Sequence, residues 1–275
     1  MTEPDKSFEE KIIKEISNSG FPLEVFISIV LKKQGWTVRP SLDYYDKNID
    51  DYRETDIIAY KPSSMKEIFN ILVIECKKSA EKPWVFIQQK RFGNLSENLN
   101  IAAFRQDFIY YDNLETTMNF HHYSQKPICC HYFVPFTNED QKNSKLSKAI
   151  FHAKNQVISA LTLLIEKRVE LQHRNQELKN KIFYYPIIVF DGALYSAIIN
   201  EESIQLNEEN QLLLSIEREL STRTDIGSSA NSTRTQEYKP YMIDIVKKDF
   251  FEEYLHNFER YYNENPDAIR RGFKN

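Results

Sequence analysis

Glycine is scarce in this chain: six in 275 residues, too few and too scattered for a nucleotide-binding fingerprint or a Gly-rich phosphate loop. Cysteine is rarer still. Three are present, two of them adjacent, which excludes a disulfide framework and fits a reducing cytoplasm. No apolar run approaches the ~20 residues that a membrane-spanning helix needs. The opening M-T-E-P-D-K-S lacks the apolar core of a secretory signal. An excess of positive charge is lacking as well. A formal charge of −4 and a pI near 5.9 argue against a general DNA-coating protein, whose affinity comes from neutralising phosphates. They leave room for a local basic rim. No internal repeat is visible.

What is present is a core-forming composition, 41% hydrophobic, sufficient for one elaborated domain or two small ones. The most informative stretch is 53–79. It reads R-E-T-D-I-I-A-Y, then K-P-S-S-M-K-E, then I-F-N-I-L-V-I-E-C-K-K-S. Two β-branched runs around a Pro-Ser-Ser break predict an antiparallel hairpin centred near Met65. Side chains alternate along a strand, so Glu75 and Lys77 share a face and Cys76 points away. Folding about Met65 brings Asp56 opposite Glu75. Charges placed among Ile, Leu and Val are costly unless paired or bound to metal.

Two carboxylates a strand spacing apart offer hard oxygen ligands suited to Mg²⁺ or Mn²⁺. A neighbouring ammonium can orient a water and steady charge on a phosphoryl oxygen. Asp56 followed by Glu75-x-Lys77 resembles the PD-(D/E)xK nuclease superfamily, with its restriction-endonuclease-like fold. The proline that often precedes the family's Asp is replaced by Thr55. The resemblance covers roughly the first half of the chain. It implies a metal-dependent endonuclease, most simply one acting on DNA and leaving a 5′-phosphate. Asp56 and Glu75 would hold Mg²⁺, with Mn²⁺ as a substitute, aided by the Cys76 carbonyl, and Lys77 would position the attacking water. A buried salt bridge in a sheet would give the same short pattern.

Upstream, residues 6–18 place Phe8, Ile12, Ile13 and Ile16 at helical spacing. Ser19-Gly20 ends that helix, and Pro22 suits the first turn of the next, which stops at Gly35 before a strand W-T-V-R-P. Helix, glycine, tryptophan, strand and Asp hairpin is the order in which the family's core begins. Glu24 lies on the second helix with Ile27, Ser28 and Leu31 three, four and seven positions on, a largely apolar face. The resemblance supplies it with a metal-directed role, directly or through water. A first-turn Glu favoured by the helix dipole is the competing explanation. The stretch D-Y-Y-D-K-N-I-D-D-Y reads as an acidic surface loop. Glu54 shares the Asp56 face, either as an accessory ligand or at the strand's exposed end beside Arg53.

Beyond Lys77 lie Lys78, Lys82, Lys90 and Arg91, interleaved with Trp84 and Phe86, a basic rim able to touch phosphates. W-V-F-I also reads simply as core, and Gln88 and Gln89 only weakly match an accessory glutamine of the family. Residues 94–111 read as a helix covering the sheet. In the cluster H-H-Y-S-Q-K-P-I-C-C-H, adjacent Cys129 and Cys130 would face opposite sides of a strand, and the C-x₂-C spacing of structural zinc is missing. Residues 145–181 read as a long helix, and Asp191-Gly192 as a hairpin turn. Q-L-L-L-S-I-E and Y-M-I-D-I-V read as strands. Between them, the polar segment around Arg223 and Arg234 reads as a loop that could close over a backbone. A helix from Asp249 ends the pattern.

These features predict an α/β fold, a central mixed β-sheet flanked by helices. The nuclease-like core would occupy 1–140, and 141–275 would extend the same sheet. The expected partner is nucleic acid, DNA by the resemblance, with a homodimer implied if both strands of a duplex are cut. Two other readings remain: a catalytically silent binding module on this fold, and a structural protein with a salt bridge at the hairpin and a partner surface at 157–171.

Overall fold

The computed structural model of the chain describes residues 6–46, 49–62, 68–88, 104–105, 127–135, 145–174, 181–218 and 239–264. The helices are α1 (Lys6–Asn18), α2 (Phe21–Lys33), α3 (Lys145–Arg174) and α4 (Phe251–Glu264). The strands are β1 (Thr37–Asp46), β2 (Asp51–Pro62), β3 (Ile68–Lys78), β4 (Trp84–Gln88), β5 (Phe104–Arg105), β6 (Ile128–Phe133), β7 (Lys181–Asp191), β8 (Leu194–Ile199), β9 (Ile204–Glu208), β10 (Gln211–Arg218) and β11 (Lys239–Lys247).

All of these strands belong to one mixed sheet, in the order β1-β2-β3-β7-β11-β10-β6-β4-β8-β9, with β5 added on β7. β1, β2 and β3 form an antiparallel meander; β3, β7 and β11 run parallel. Strands from late in the chain therefore stand at the centre of the sheet. Helices cover both faces. On one, Leu23, Ile27 and Leu31 of α2 and Phe251, Leu255 and Phe258 of α4 pack with Ile57, Leu72, Ile74 and Val189. On the other, Ile150, Val157, Ile158 and Leu161 of α3 pack with Val73, Phe86, Ile188 and Ile243. The sheet curls strongly, because Trp84 of β4 stacks on Phe190 of β7 at 4.0 Å although three strands separate them in the order.

Local signals account for several boundaries. Pro22 sits in the first turn of α2, where its missing N–H costs nothing. Gly35, with φ +79°, stops α2 in the left-handed region that glycine alone adopts easily. The Trp36 N–H then closes back on the Leu31 carbonyl at 3.0 Å and turns the chain into β1.

The structure changes several expectations. The Asp191-Gly192 turn does not make a hairpin: β7 and β8 leave it for different neighbours, β8 pairing with β4 and β9. A cage of backbone bonds explains this. The Ser79 N–H donates to the Asp191 carbonyl at 3.0 Å and the Trp84 N–H to the Ala193 carbonyl at 2.9 Å, so β3–β4 and β7–β8 make the same corner side by side. Second, the acidic stretch is mostly strand, since Asp43–Asp46 completes β1 and Asp51 begins β2, cross-paired in register. Third, α3 runs to Arg174, short of the expected 181, where β7 begins. Of 94–111, expected as a helix, only Phe104–Arg105 is described, and it is extended on β7. As for the partner surface at 157–171, Val157 and Leu161 are core residues of α3.

Candidate active site

β2 and β3 pair from Pro62↔Phe69 to Ile57↔Ile74, which centres the hairpin near the expected position. Beyond that point the ladder ends. β3 continues along β7 as far as Lys78↔Asp191, while β2 continues along β1 to Asp51. The strands thus fork at Asp56 and Glu75. A fork strips backbone N–H groups of their ladder partners. Here the Cys76 N–H donates to Asp56 Oδ2 at 2.6 Å, so a carboxylate replaces the missing strand and is itself fixed in place. Ser41 of β1, level with Asp56 between Pro40↔Ile57 and Leu42↔Thr55, has φ +52°. Left-handed backbone is uncommon at a residue other than glycine, and such strain concentrates at functional sites.

Glu75 and Lys77 face the same side of β3, and Lys77 Nζ donates to Glu75 Oε1 at 2.5 Å. The pair is lopsided. Glu75 is 1% exposed, whereas Lys77 is 27% exposed and opens to solvent. Glu75 Oε2 is buried with no hydrogen-bond partner among the described residues. A buried carboxylate oxygen left unpaired is expensive. Burial pushes the Glu75 carboxyl up to about 8, against the pull of Lys77 and with the nearby Asp56 and Glu24 charges adding to the rise.

Glu24 arrives from α2, one turn in, where Ile27, Ser28 and Leu31 are buried as the spacing predicts and Glu24 itself is half-buried. Its carboxyl is raised by burial first, then by Asp56 and Glu54, with Lys77 opposing. Asp56 is raised by burial, against the Cys76 N–H and Lys77, with Glu54 adding to the rise. Burial pulls Lys77 down, but Glu75 and Asp56 hold it above its ordinary value. Each of these groups thus feels its neighbours. Glu24 from α2, Asp56 from β2 and Glu75 and Lys77 from β3 form one electrostatic cluster. Glu54, exposed at the end of β2, adds its charge to that cluster. The Cys76 side chain points to the opposite, apolar face, and burial raises its thiol well above the usual value.

Lys78 is exposed and donates to the Ser17 carbonyl at 3.2 Å, tying the end of β3 to α1. Lys90, Arg91, Arg223 and Arg234 lie outside the described residues, as does Gln89. Trp84 and Phe86 are core, and Gln88 donates to Ser196 Oγ at 2.8 Å. Cys129 is buried, and its neighbour Cys130 is half-buried. Among the described residues no three His, Cys, Asp or Glu side chains are already arranged as a metal-holding set. The donor chemistry nevertheless suits a hard divalent cation, since the Glu24, Asp56 and Glu75 carboxyls feel one another's charge and Glu75 Oε2 lacks a partner among the described residues. Sequence reasoning missed Ser41, whose conformation has no signature in residue type.

No protein-family model, curated protein or solved structure matches this chain. No helix among the described residues is long and apolar enough to cross a membrane.

Proposed function

We propose that the chain is a metal-dependent nuclease with a restriction-endonuclease-like core, hydrolysing phosphodiester bonds in nucleic acid, most simply DNA, in the cytoplasm. The observation that carries this reading is the buried, unpartnered Oε2 of Glu75 inside a cluster of carboxylates drawn from three elements. A salt bridge built only for stability would satisfy both carboxylate oxygens. It would not also set Asp56 and Glu24 close enough for their charges to add to the cost of ionising Glu75.

Asp56, Glu75 and Glu24 are the residues that would hold Mg²⁺ or Mn²⁺, with the Cys76 carbonyl as a further oxygen donor. When bound, such a cation supplies Lewis-acid polarisation of a phosphoryl oxygen. The chain's own groups divide the remaining work. Glu75 spends one oxygen on Lys77, and the other has no partner among the described residues. Lys77, anchored by that bond and open to solvent, has N–H donors left to orient a water and to steady charge on a phosphoryl oxygen. The Cys76 N–H fixes Asp56 so that its carboxylate does not collapse onto Lys77.

The test is cleavage of supercoiled plasmid, linear duplex, single-stranded DNA and RNA in Mg²⁺, Mn²⁺ or EDTA. Parent, Asp56→Asn and Lys77→Met proteins would be compared, each shown folded by circular dichroism. Metal-dependent cutting that falls at least about a hundredfold in both variants is the expected result. Cutting that survives both substitutions, or no cutting of any substrate with nucleic-acid binding unchanged, would sink the proposal. The second outcome would leave a silent binding module. Lys77→Met failing to fold, with the Glu75→Gln/Lys77→Met double variant folded and cutting as well as the parent, would assign the pair to structure alone.

A further inference from the structure

Every described side chain of α1 from Phe8 to Asn18 is exposed. Phe8, Ile12, Ile13 and Ile16 nevertheless form a continuous apolar stripe on it, at positions i, i+4, i+5 and i+8. α2 carries the same spacing on its outward side, in Phe21, Val25, Phe26 and Ile29, while Leu23, Ile27, Val30 and Leu31 face the core. The eight outward residues are between 40% and 62% exposed. A helix as short as α1 is marginal in water without burial of its stripe. A helix that is apolar all round, as α2 is, belongs in a covered position.

We propose that the cover is a second copy of this chain. The α1 stripe of one protomer packs antiparallel on the outward face of α2 in its partner, and the reverse contact completes a twofold dimer. Three observations select this occupant. The two faces share one spacing, so the contact is self-complementary, as an isologous interface requires. Their exposed apolar area is on the order of 800 Å² per copy, the amount a standard stable interface buries from each partner and more than a typical monomer leaves in one patch. Charge sets the direction. Glu9 stands within the stripe at the N-terminal end of α1, and Lys32 and Lys33 prolong the outward face at the C-terminal end of α2. Antiparallel packing brings them together; parallel packing would bury Glu9 against Phe21. The inference does not depend on the nuclease reading.

The test is sedimentation of the full chain at micromolar concentration. The expected mass is twice 32.6 kDa. Ile12→Glu/Val25→Glu should sediment as a folded monomer, since both positions are exposed within one protomer. The charge reversals give the sharper readout. Glu9→Lys and Lys32→Glu/Lys33→Glu should each weaken the dimer at least tenfold, and combining all three should restore it. A parent that is monomeric throughout overturns the proposal. Slow amide exchange in α1 of that monomer would assign the cover to the chain's own residues, and its sedimentation with anionic vesicles would assign it to a lipid surface. A dimer unaffected by the charge reversals overturns it too.

Discussion

The Cys76 N–H and Asp56 Oδ2, 2.6 Å apart, bridge the point where β2 leaves β3. A backbone donor that would otherwise lie buried without a partner is satisfied by the same carboxylate that the candidate site needs. Asp56 therefore serves the fold as an acceptor and the site as a charge, and the two roles can be separated by substitution.

Asp56→Ala leaves the Cys76 N–H without its acceptor and should lower stability by about 1–3 kcal/mol. Asp56→Asn keeps an oxygen acceptor and discards the charge. Because burial raises the Asp56 carboxyl, the fold disfavours its ionised form at neutral pH. The Asn protein should therefore melt no lower than the parent while losing cleavage at least about a hundredfold. Urea midpoints beside cleavage rates check both. A marked loss of stability in the Asn protein would contradict this account.

The pH dependence follows from Glu75. Its folded value, about 8, lies above its ordinary value of 4.5. The folded state therefore binds the proton more tightly, and this contribution to stability is present below 4.5 and lost as pH rises through about 8. Asp56 and Glu24 are shifted in the same direction. Without metal, the melting temperature should fall between pH 6 and pH 9, and the fall should be shallower in Glu75→Gln. Mg²⁺ or Mn²⁺ competes with protons for the carboxylates, so the stabilisation it confers should grow with pH and vanish in Glu75→Gln. Scanning fluorimetry across that range measures it. A metal effect that is flat with pH would speak against binding at this carboxylate.

The corner beside the site is tightly built. A Cβ on Gly192 would lie 2.6 Å from the Ser79 carbonyl oxygen and 2.6 Å from Phe190 Cζ. The carbonyl cannot retreat freely, because the Ser79 N–H is bonded to Asp191 and its Oγ to the Lys82 carbonyl. Gly192→Ala should destabilise by about 1–3 kcal/mol through overpacking. Ala193→Ser, at the exposed neighbour, should stay within about 0.5 kcal/mol of the parent. Chemical denaturation of the two proteins distinguishes a strained corner from a tolerant loop.

Much of the candidate site could be read along the chain. The placement of Asp56 at the Glu75 end of β3 follows from the length of the 53–79 hairpin, and the common face of Glu75 and Lys77 from strand alternation. Glu24 stood out because its helical neighbours Ile27 and Leu31 are apolar. The elements themselves were legible for the same reason: periods of two and of 3.6 are local properties that burial imposes on neighbouring residues. The acidic stretch escaped because charge and tyrosine on an edge strand look like a solvated loop.

Sequence by itself determined the hairpin, the helices' apolar stripes and the residue types that gather at the fork. Tertiary structure alone decided that β7 lies between β3 and β11, since strand neighbours are chosen by contacts far apart in the chain. It decided that the Asp191-Gly192 turn makes a corner, because backbone bonds from Ser79 and Trp84 carry both strand pairs round it together. It also decided that one buried oxygen of Glu75 has no partner among the described residues and that α1 leaves its stripe exposed. Both facts depend on what does not come near a residue, and spacing along a chain carries no record of that.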